Sequence, residues 1–309
     1  MERLIDTALL GWKKSEFRKP LIIRGARQVG KTFSVSGFGE NHFEVFIKID
    51  FERDRTSHKI FEGDLSAKRL LSELEIHANK LIIPGKTLLF FDEIQECERA
   101  LLSLRYFYEE MPELHIIAAG SMLEFTLGSI SFPVGRVSFE WMRPMTFHEF
   151  LIASDRKILA DKLPSISDFK PISETIHLKI LEQLKFYFLV GGMPEAVKRY
   201  CKTGSLSQSF RVHEEIFESY LQSLVKYNER ADVDSLDYLL RSLPSHVGRQ
   251  IKYTRLDPER RIEKTKMSLQ LLERALLCHI IRSSNAEGLP LNVGASSKIM
   301  KPLFLDLGL

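Results

Sequence analysis

The stretch LIIRGARQVGKTFSV, residues 21–35, runs from mostly apolar residues through Gly25 and Gly30 into a lysine–threonine pair. Its central part fits the pattern G-x-x-x-x-G-K-[ST] of phosphate-binding loops. Glycine adopts backbone conformations closed to other residues, so consecutive N–H groups of such a loop can turn inward around a phosphate. The apolar residues predict a short buried strand, and a helix beginning near Lys31 would direct its positive end to the same anion. The stretch therefore predicts a nucleotide phosphate site between a strand and a helix.

The loop pattern also suggests individual roles. Lys31 is predicted to reach the β- and γ-phosphates of ATP and to act in catalysis, and the Thr32 hydroxyl is predicted to bind Mg²⁺. A glycine turn without a ligand is the alternative for this pattern taken alone. The helix that follows is predicted to be short, because four of its residues are weak helix formers: Ser34, Ser36, Gly37 and Gly39. The predicted nucleotide-binding residues are Gly25, Ala26, Arg27, Gln28, Val29, Gly30, Lys31, Thr32 and Phe33.

A pair of acids follows a second apolar run, in TLLFFDEIQ at residues 87–95. A phosphate-binding loop needs a metal-side acid on a neighbouring buried strand, and Asp92 is predicted to hold Mg²⁺ through its water shell. Glu93 is suited to act as the general base that orients the attacking water. A buried strand that ends in a solvated acid pair is the alternative. The loop upstream favours the catalytic interpretation.

A third apolar run, LHIIAAGS at residues 114–121, predicts another strand. Ser121 at its end is a candidate catalytic residue that senses the γ-phosphate or the water, and the alternative is a small residue at a tight turn. Between these strands, residues 98–113 have helical spacing of apolar side chains. The alternation of strands and helices from Leu21 to Trp141 indicates a parallel α/β sheet with its ligand at the carboxyl ends of the strands.

Length and composition set broad limits. A chain of 309 residues is long enough for two or three domains, and a net charge of +3 does not by itself indicate a partner. No apolar run approaches the roughly 18 residues of a membrane helix, and the amino-terminal residues lack the apolar core of a secretory signal. The three cysteines have neither disulfide nor zinc-site spacing. We therefore expect a cytoplasmic protein without membrane contact.

The chain resembles bacterial and archaeal AAA-type P-loop ATPases that carry an uncharacterised carboxyl-terminal region. The resemblance covers nearly the whole chain and rests on GARQVGKT, LLFFDEIQ, AAGSMLEF, PVGRVSFEWMRPMTFHEFL, VGGMPEAV and the ending EGLPLN…KPLFLDLGL. The first two motifs are generic to P-loop ATPases, and the later ones are more specific to this group. The resemblance implies a sheet in which another strand lies between those bearing Lys31 and Asp92, an ATP-binding role, and a helical lid after the core.

Arg136 in PVGRV matches a Gly-Arg element of this family, in which an arginine is expected near the nucleotide. A guanidinium suits that task because it pairs with phosphate oxygens and stays charged. Action within the chain and action on a neighbouring subunit are both open. The alternative is a surface arginine at the entry to a strand.

The predicted fold is a parallel P-loop NTPase sheet flanked by helices, followed by a helical lid and a winged-helix-like domain. The predicted domains are an ATPase core at 1–155, a lid at 156–228, a winged-helix-like domain at 229–285, and the start of a truncated region at 286–309. The serine- and proline-rich residues 163–173 resemble a linker. Family members usually continue into a nuclease-like domain with an acidic motif, so we expect a truncated chain without nuclease activity.

The carboxyl-terminal part contains a basic segment at residues 241–282, in which ten Lys or Arg face four Asp or Glu, a local charge of +6. A helix starting at Asp257 as N-cap and a strand at 277–283 are predicted within it. Basic winged helices often bind DNA through phosphate contacts. The alternative is a solvated face that contacts the ATPase core or a protein partner, including a second copy of the chain.

The sequence thus predicts Mg²⁺-dependent ATP binding and slow hydrolysis, coupled to conformational change and to binding of a partner or nucleic acid. A nucleotide-dependent switch or scaffold with negligible turnover, or a DNA-binding regulator, is the alternative. Glu93 favours the ATPase, because a protein that only binds nucleotide needs no general base.

Overall fold

The computed structural model describes residues 2–121, 123–126, 135–163, 172–227, 232–284, 288 and 295–309. The chain forms two compact units, Met1–Arg143 and Pro144–Leu309. Most of the predicted linker at 163–173 lies outside the described residues. The finer division predicted from the sequence, with boundaries after residues 155, 228 and 285, stays a prediction.

The first unit alternates helices and strands. Its helices are α1 (Leu4–Lys14), α2 (Lys31–His42), α3 (Ala67–Ala78), α4 (Glu98–Glu110) and α5 (Leu123–Thr126), with 3-10 turns at Arg55–Phe61 and Ile94–Glu96. Its strands are β1 (Leu21–Arg24), β2 (Val45–Asp50), β3 (Thr87–Asp92), β4 (His115–Ala119) and β5 (Ser138–Trp141).

The five strands form one sheet in the order β2-β3-β4-β1-β5, and every neighbouring pair is parallel. The predicted α/β fold with a parallel P-loop NTPase sheet is confirmed. So is the additional strand, because β4 lies between β1 and β3. All residues of β3 and β4 are buried, as expected for strands covered by helices on both faces. Parallel strands end at the same edge, so the residues that follow β1, β3 and β4 meet there.

Helix α2 is longer than the sequence predicts, since it spans twelve residues. Helix propensity is a weak preference that packing can override, and α2 buries Val35 and Phe38. Gly39 has a packing role, because a Cβ there would lie 2.3 Å from the ring of Phe46 on β2. The glycine that weakens the isolated helix therefore allows its close approach to the sheet.

The second unit is mainly helical. Its helices are α6 (Phe147–Ala153), α7 (Lys157–Ala160), α8 (Glu174–Val190), α9 (Pro194–Thr203), α10 (Leu206–Tyr227), α11 (Val233–Ser242), α12 (Tyr253–Leu256) and α13 (Ile262–Arg274), with a 3-10 turn at Leu243–His246. Strands β6 (Cys278–Ser284) and β7 (Ala295–Phe304) form an antiparallel pair. Helix α6 begins with a capping box in which Thr146 and Glu149 bind each other's backbone N–H groups.

Two details of this unit differ from the sequence-based expectation. The last helix begins at Ile262 rather than after Asp257, because Asp257 ends the short helix α12 and the side chain of Arg260 turns to Asp232 and Asp257. Strand β7 pairs with β6, so residues on both sides of the boundary predicted after residue 285 share one antiparallel sheet, and the boundary itself stays a prediction. Three helices followed by a two-stranded sheet is the order expected for a winged helix, and that assignment stays a prediction.

Asp232 links the start of α11 to the region before α13. Its Oδ1 accepts a hydrogen bond from the Ser235 N–H at 3.1 Å, and its two oxygens bind Arg260 at 2.7 Å and Lys264 at 2.9 Å. These bonds, that of Lys264 above all, lower the pKa of Asp232 to about 2. Two of the cations of the basic segment are therefore paired with a carboxylate of the same unit.

Within the part of the chain that the structure describes, no helix is both long and apolar enough to span a membrane. The same residues contain no group of three or more His, Cys, Asp or Glu side chains arranged to hold a metal ion.

Candidate nucleotide-binding site

The loop between β1 and α2 has the backbone that its glycines predict. Gly25 has φ 156° and Gly30 has φ 96°, and Gln28 between them also has a positive φ of 64°. A Cβ at Gly25 would lie 2.1 Å from the carbonyl oxygen of Met142, the residue that follows β5. Gly25 therefore allows the loop to lie directly against the backbone of the neighbouring strand end.

Lys31 lies inside this loop and is only 6% exposed. Its Nζ donates hydrogen bonds to the carbonyl oxygens of Gly25 at 2.8 Å and Ala26 at 2.7 Å. Burial lowers the pKa of Lys31 to about 8, against the opposing effects of Glu93 and Asp92. A cation at the centre of the loop, held by groups that a phosphate oxygen could replace, suits the binding of an anion.

Thr32, at the first turn of α2, meets the end of β3. Its Oγ1 donates to Oδ1 of Asp92 at 3.1 Å, and the same oxygen accepts the N–H of Glu93 at 3.2 Å. Asp92 is 3% exposed, and burial raises its pKa. A hydroxyl and a carboxylate within hydrogen-bond distance provide the hard oxygen ligands that Mg²⁺ prefers, so the residues present fit this ion.

Glu93 and Ser121 meet at the same edge of the sheet. Oε2 of Glu93 accepts hydrogen bonds from Ser121 N at 3.3 Å, Ser121 Oγ at 3.1 Å and Gln95 Nε2 at 2.7 Å. Glu93 has left-handed backbone, with φ 48° and ψ 46°. This conformation is uncommon for a residue other than glycine. It ends the extended backbone of β3 at Glu93, so the chain turns away from the strand there. The carboxylate is thus held through one of its two oxygens.

The other predicted binding residues differ in exposure. Ala26 and Val29 are buried, Arg27 is half-buried, and Gln28 is exposed. Phe33, which follows Thr32 on α2, is 69% exposed. The structure therefore brings the loop, Asp92, Glu93 and Ser121 together, while Phe33 projects into solvent.

Arg136 lies at the opposite edge of the sheet. It comes two residues before β5, whose first residue, Ser138, is level with Leu21 at the start of β1. Its Nε donates to Oε1 of Glu109, near the end of α4, at 2.8 Å. This bond raises the pKa of Arg136. The guanidinium is thus paired with a carboxylate at this edge of the sheet, and its predicted role near the nucleotide, within the chain or on a neighbouring subunit, stays a prediction.

Three residues near the site were missed by the sequence analysis. Arg3, the residue that precedes α1, is buried. Its guanidinium donates a hydrogen bond to the carbonyl oxygen of Val29 at 3.0 Å and so supports the loop. Lys48 on β2 pairs with Asp92, and Gln95 binds Glu93. The alternation in VFIKID, residues 45–50, could have revealed strand β2 and hence Lys48. For Arg3 we find no local signal.

Two family models match the chain. Residues 17–151 match the model described as AAA domain, and residues 181–309 match a domain of unknown function, DUF8612. The first match contains the loop, the five strands and both acids. The resemblance to AAA-type P-loop ATPases is therefore confirmed for this part of the chain. A search among curated proteins found no match.

Among solved structures, the chain is similar to a Walker-type ATPase of Pyrococcus abyssi, with 16% identity and a TM-score of 0.57 over 99% of this chain and 94% of that one. At this identity the likeness shows the fold alone. The chain is also similar to ORC1 of Aeropyrum pernix in complex with DNA (11% identity, TM-score 0.38, 97% and 87% covered). DnaA of Aquifex aeolicus with bound AMPPCP gives 12% identity and a TM-score of 0.39, with 87% and 86% covered.

The close approach at Gly25 leads to a test of the loop geometry. Gly25→Ala should lower the free energy of unfolding by ~1–3 kcal/mol, because the new methyl group meets the Met142 carbonyl. Gly37→Ala is the matched control, since a Cβ at this position in α2 meets nothing within 4 Å. That substitution should stabilise the protein by up to about 1 kcal/mol. Urea denaturation measures both, and equal midpoints for the two variants would contradict the loop geometry.

Proposed function

We propose that this chain, whose residues 17–151 match the AAA domain, binds ATP with Mg²⁺ and hydrolyses it slowly. The observation that carries the proposal is the meeting of three elements at one edge of the sheet. These are the buried ammonium of Lys31 inside the loop, the Thr32–Asp92 pair, and the Glu93 carboxylate held by Ser121. A turn without a ligand would not need to bury a lysine and a carboxylate side by side, because burying charge is costly.

The loop and its Lys31 side chain would bind the nucleotide. The phosphates would replace the carbonyl oxygens of Gly25 and Ala26 as partners of Nζ, and the N–H groups at the start of α2 would face the same anion. The Lys31 ammonium already lies within the loop. ATP binding would therefore exchange its hydrogen-bond partners without moving the side chain to another place. When bound, Mg²⁺ would be held by Thr32 and Asp92 and would neutralise charge on the phosphates.

Hydrolysis needs a group that accepts the proton of the attacking water, and Glu93 is the candidate. Gln95 and Ser121 hold Oε2, which fixes the orientation of the carboxylate and leaves the other oxygen to face the water. Ser121 is thereby a positioning residue for Glu93. We expect slow turnover because Arg136, the arginine predicted to act in catalysis, binds Glu109 at the opposite edge of the sheet. The further expectation, that the nucleotide cycle alters conformation and so controls a partner, rests on the resemblance alone.

The loop proposal is tested by Lys31→Ala. Removing the only ammonium bound inside the loop should weaken ATP binding by about 10–100-fold, because a hydrogen bond to a charged group contributes about 1.5–3 kcal/mol. Lys68→Ala, at an exposed position on α3, is the control and should bind ATP like the parent. Calorimetric titration with ATP and Mg²⁺ makes the comparison. Equal affinities for the two variants would remove the loop from the proposed site.

Glu93→Gln separates the ATPase from the switch without turnover. The amide retains the shape of the carboxylate but cannot accept a proton, so phosphate release should fall by ~10²-fold or more while ATP still binds. Glu98→Gln, at an exposed position in the first turn of α4, should release phosphate at the parent rate. If the parent binds ATP and releases no phosphate above the level of Glu93→Gln, the switch is the better description.

A second candidate function, binding of nucleic acid, is favoured by the exposed cations of the second unit. Arg241, Arg260 and Lys264 form ion pairs with Asp or Glu side chains. Six other cations of the basic segment are exposed and belong to none of the ion pairs found among the described residues: Arg249, Lys252, Arg255, Arg261, Lys266 and Arg282. Such cations bind phosphates without base specificity. We infer weak, salt-sensitive binding of nucleic acid by these six.

The choice of residues decides whether this binding can be tested cleanly. Arg260 and Lys264 are unsuitable because their loss would disturb the cap of α11. The triple variant Arg261→Gln, Lys266→Gln, Arg282→Gln removes three exposed cations. It should lower the affinity for duplex DNA similarly for all sequences. The slope of log affinity against log salt should flatten by up to about 0.9 per lost phosphate contact. The control is the triple variant Lys14→Gln, Lys59→Gln, Lys68→Gln, which removes the same charge from exposed positions of the first unit.

Fluorescence titration of labelled duplex DNA over a range of salt concentrations makes this measurement. Absence of binding by the parent at low salt, or equal slopes for the two triple variants, would assign the six cations to a protein contact or to a solvated face.

A further inference from the structure

Asp92 has a third partner on the neighbouring strand. Nζ of Lys48 lies 2.8 Å from Oδ2 of Asp92, while the side chains are 30% and 4% exposed respectively. Strands β2 and β3 pair in parallel, with Lys48 level with Phe90 and Asp50 level with Asp92. The lysine therefore reaches forward along the sheet to the carboxylate at the end of β3, and Nζ also lies 5.7 Å from the centre of the Phe90 ring.

The two oxygens of Asp92 have separate partners. Oδ1 accepts the hydroxyl of Thr32 and the N–H of Glu93, whereas Oδ2 faces Lys48. A carboxylate held at both oxygens cannot rotate about its Cβ–Cγ bond without losing a bond. The ammonium on Oδ2 thus keeps Oδ1 directed to Thr32, on the side where a metal ion would bind.

A second carboxylate near Lys48 is the natural competitor for this pairing. Oδ2 of Asp50 lies 3.7 Å from Nζ, which is farther than the contact with Asp92. Oδ1 of Asp50 already accepts the N–H of Arg53 at 3.1 Å. Asp50 is also more exposed than Asp92, so solvent weakens its attraction for the lysine. The preferred partner of Lys48 is therefore the buried carboxylate.

We propose that Lys48 is a positioning residue for the magnesium site, which acts by fixing the carboxylate of Asp92 with Oδ1 toward Thr32. This inference rests on the proposed ATP and Mg²⁺ binding. Partners that orient a metal-binding group contribute strongly to metal affinity even though they do not touch the ion. Lys48 does not contact the loop residue Lys31, so its effect should depend on Mg²⁺ and leave the direct contacts of the loop with ATP intact.

The test compares ATP binding with and without Mg²⁺, by titration of a fluorescent ATP analogue. Lys48→Met retains an unbranched apolar side chain of nearly the same length and removes the charge and the donor. It should raise the Mg²⁺ concentration that gives half-maximal binding by about 10-fold or more, while affinity in EDTA equals that of the parent. Lys48→Arg, which can still donate to Oδ2, should recover most of the loss.

Lys86→Met is the matched control for the charge. Lys86 lies at the other end of the same pair of strands, where its Nζ binds Glu44 at 3.0 Å. Loss of this ion pair should leave the Mg²⁺ dependence at the parent value. Lys48→Thr, which suits a strand and is too short to reach Asp92, serves as a second variant should Lys48→Met fail to fold.

An unchanged Mg²⁺ midpoint in Lys48→Met and Lys48→Thr would overturn the inference and leave the proposed function standing. A lowered midpoint would overturn it as well, since Lys48 would then be a competitor of the metal for Asp92. Equal losses in EDTA and in Mg²⁺, with a lower melting temperature, would reduce Lys48 to a structural role. A parent protein that binds no ATP under either condition would instead refute the proposed function, and the inference with it.

Discussion

The parallel pairing of β4 with both β1 and β3 determines where every polar group of the candidate site lies. Strands that run in the same direction end at the same edge, so the loop after β1, the acids after β3 and the serine after β4 converge. The buried side chains of β3 and β4 hold this pairing from both faces. The hydrogen bond between Thr32 and Asp92 joins the start of α2 to the end of β3 at this edge. Ser121, which follows β4, binds Glu93 there.

The site concentrates charge where water is largely excluded, and each charge has a fixed counterpart. Lys31 binds backbone carbonyls of its own loop, and Asp92 binds a hydroxyl, an N–H and Lys48. Buried charges are tolerated only when they are paired and hydrogen-bonded. These partners are the groups that a phosphate and a metal ion would replace or use. The arrangement therefore suits a site prepared for charged ligands better than a site built for stability.

In the second unit, glycines allow two distant motifs to meet. Gly192 N donates to Oδ2 of Asp306 at 2.6 Å, and Oδ1 accepts the N–H of Gly308 at 3.0 Å. A Cβ at Gly191 would lie 2.0 Å from Oδ1 of the same aspartate, so no larger residue fits there. The motifs VGGMPEAV and FLDLGL, which are far apart in sequence, are thus parts of one contact. Burial raises the pKa of Asp306, against the effect of these N–H groups.

The sequence by itself determined the loop from Gly25 to Thr32, the strands before it and before Asp92, and the α/β class. These features depend on local backbone geometry and on runs of apolar residues, which are visible along the chain. Tertiary structure alone decided the partners of charged side chains and the length of α2. Arg136 resembles a nucleotide-binding arginine in sequence yet binds Glu109, and the alternation that places Lys48 on a strand does not indicate that it binds Asp92. Ion pairs form across strands and helices, so they follow from the order and register of the sheet and not from neighbours in the chain.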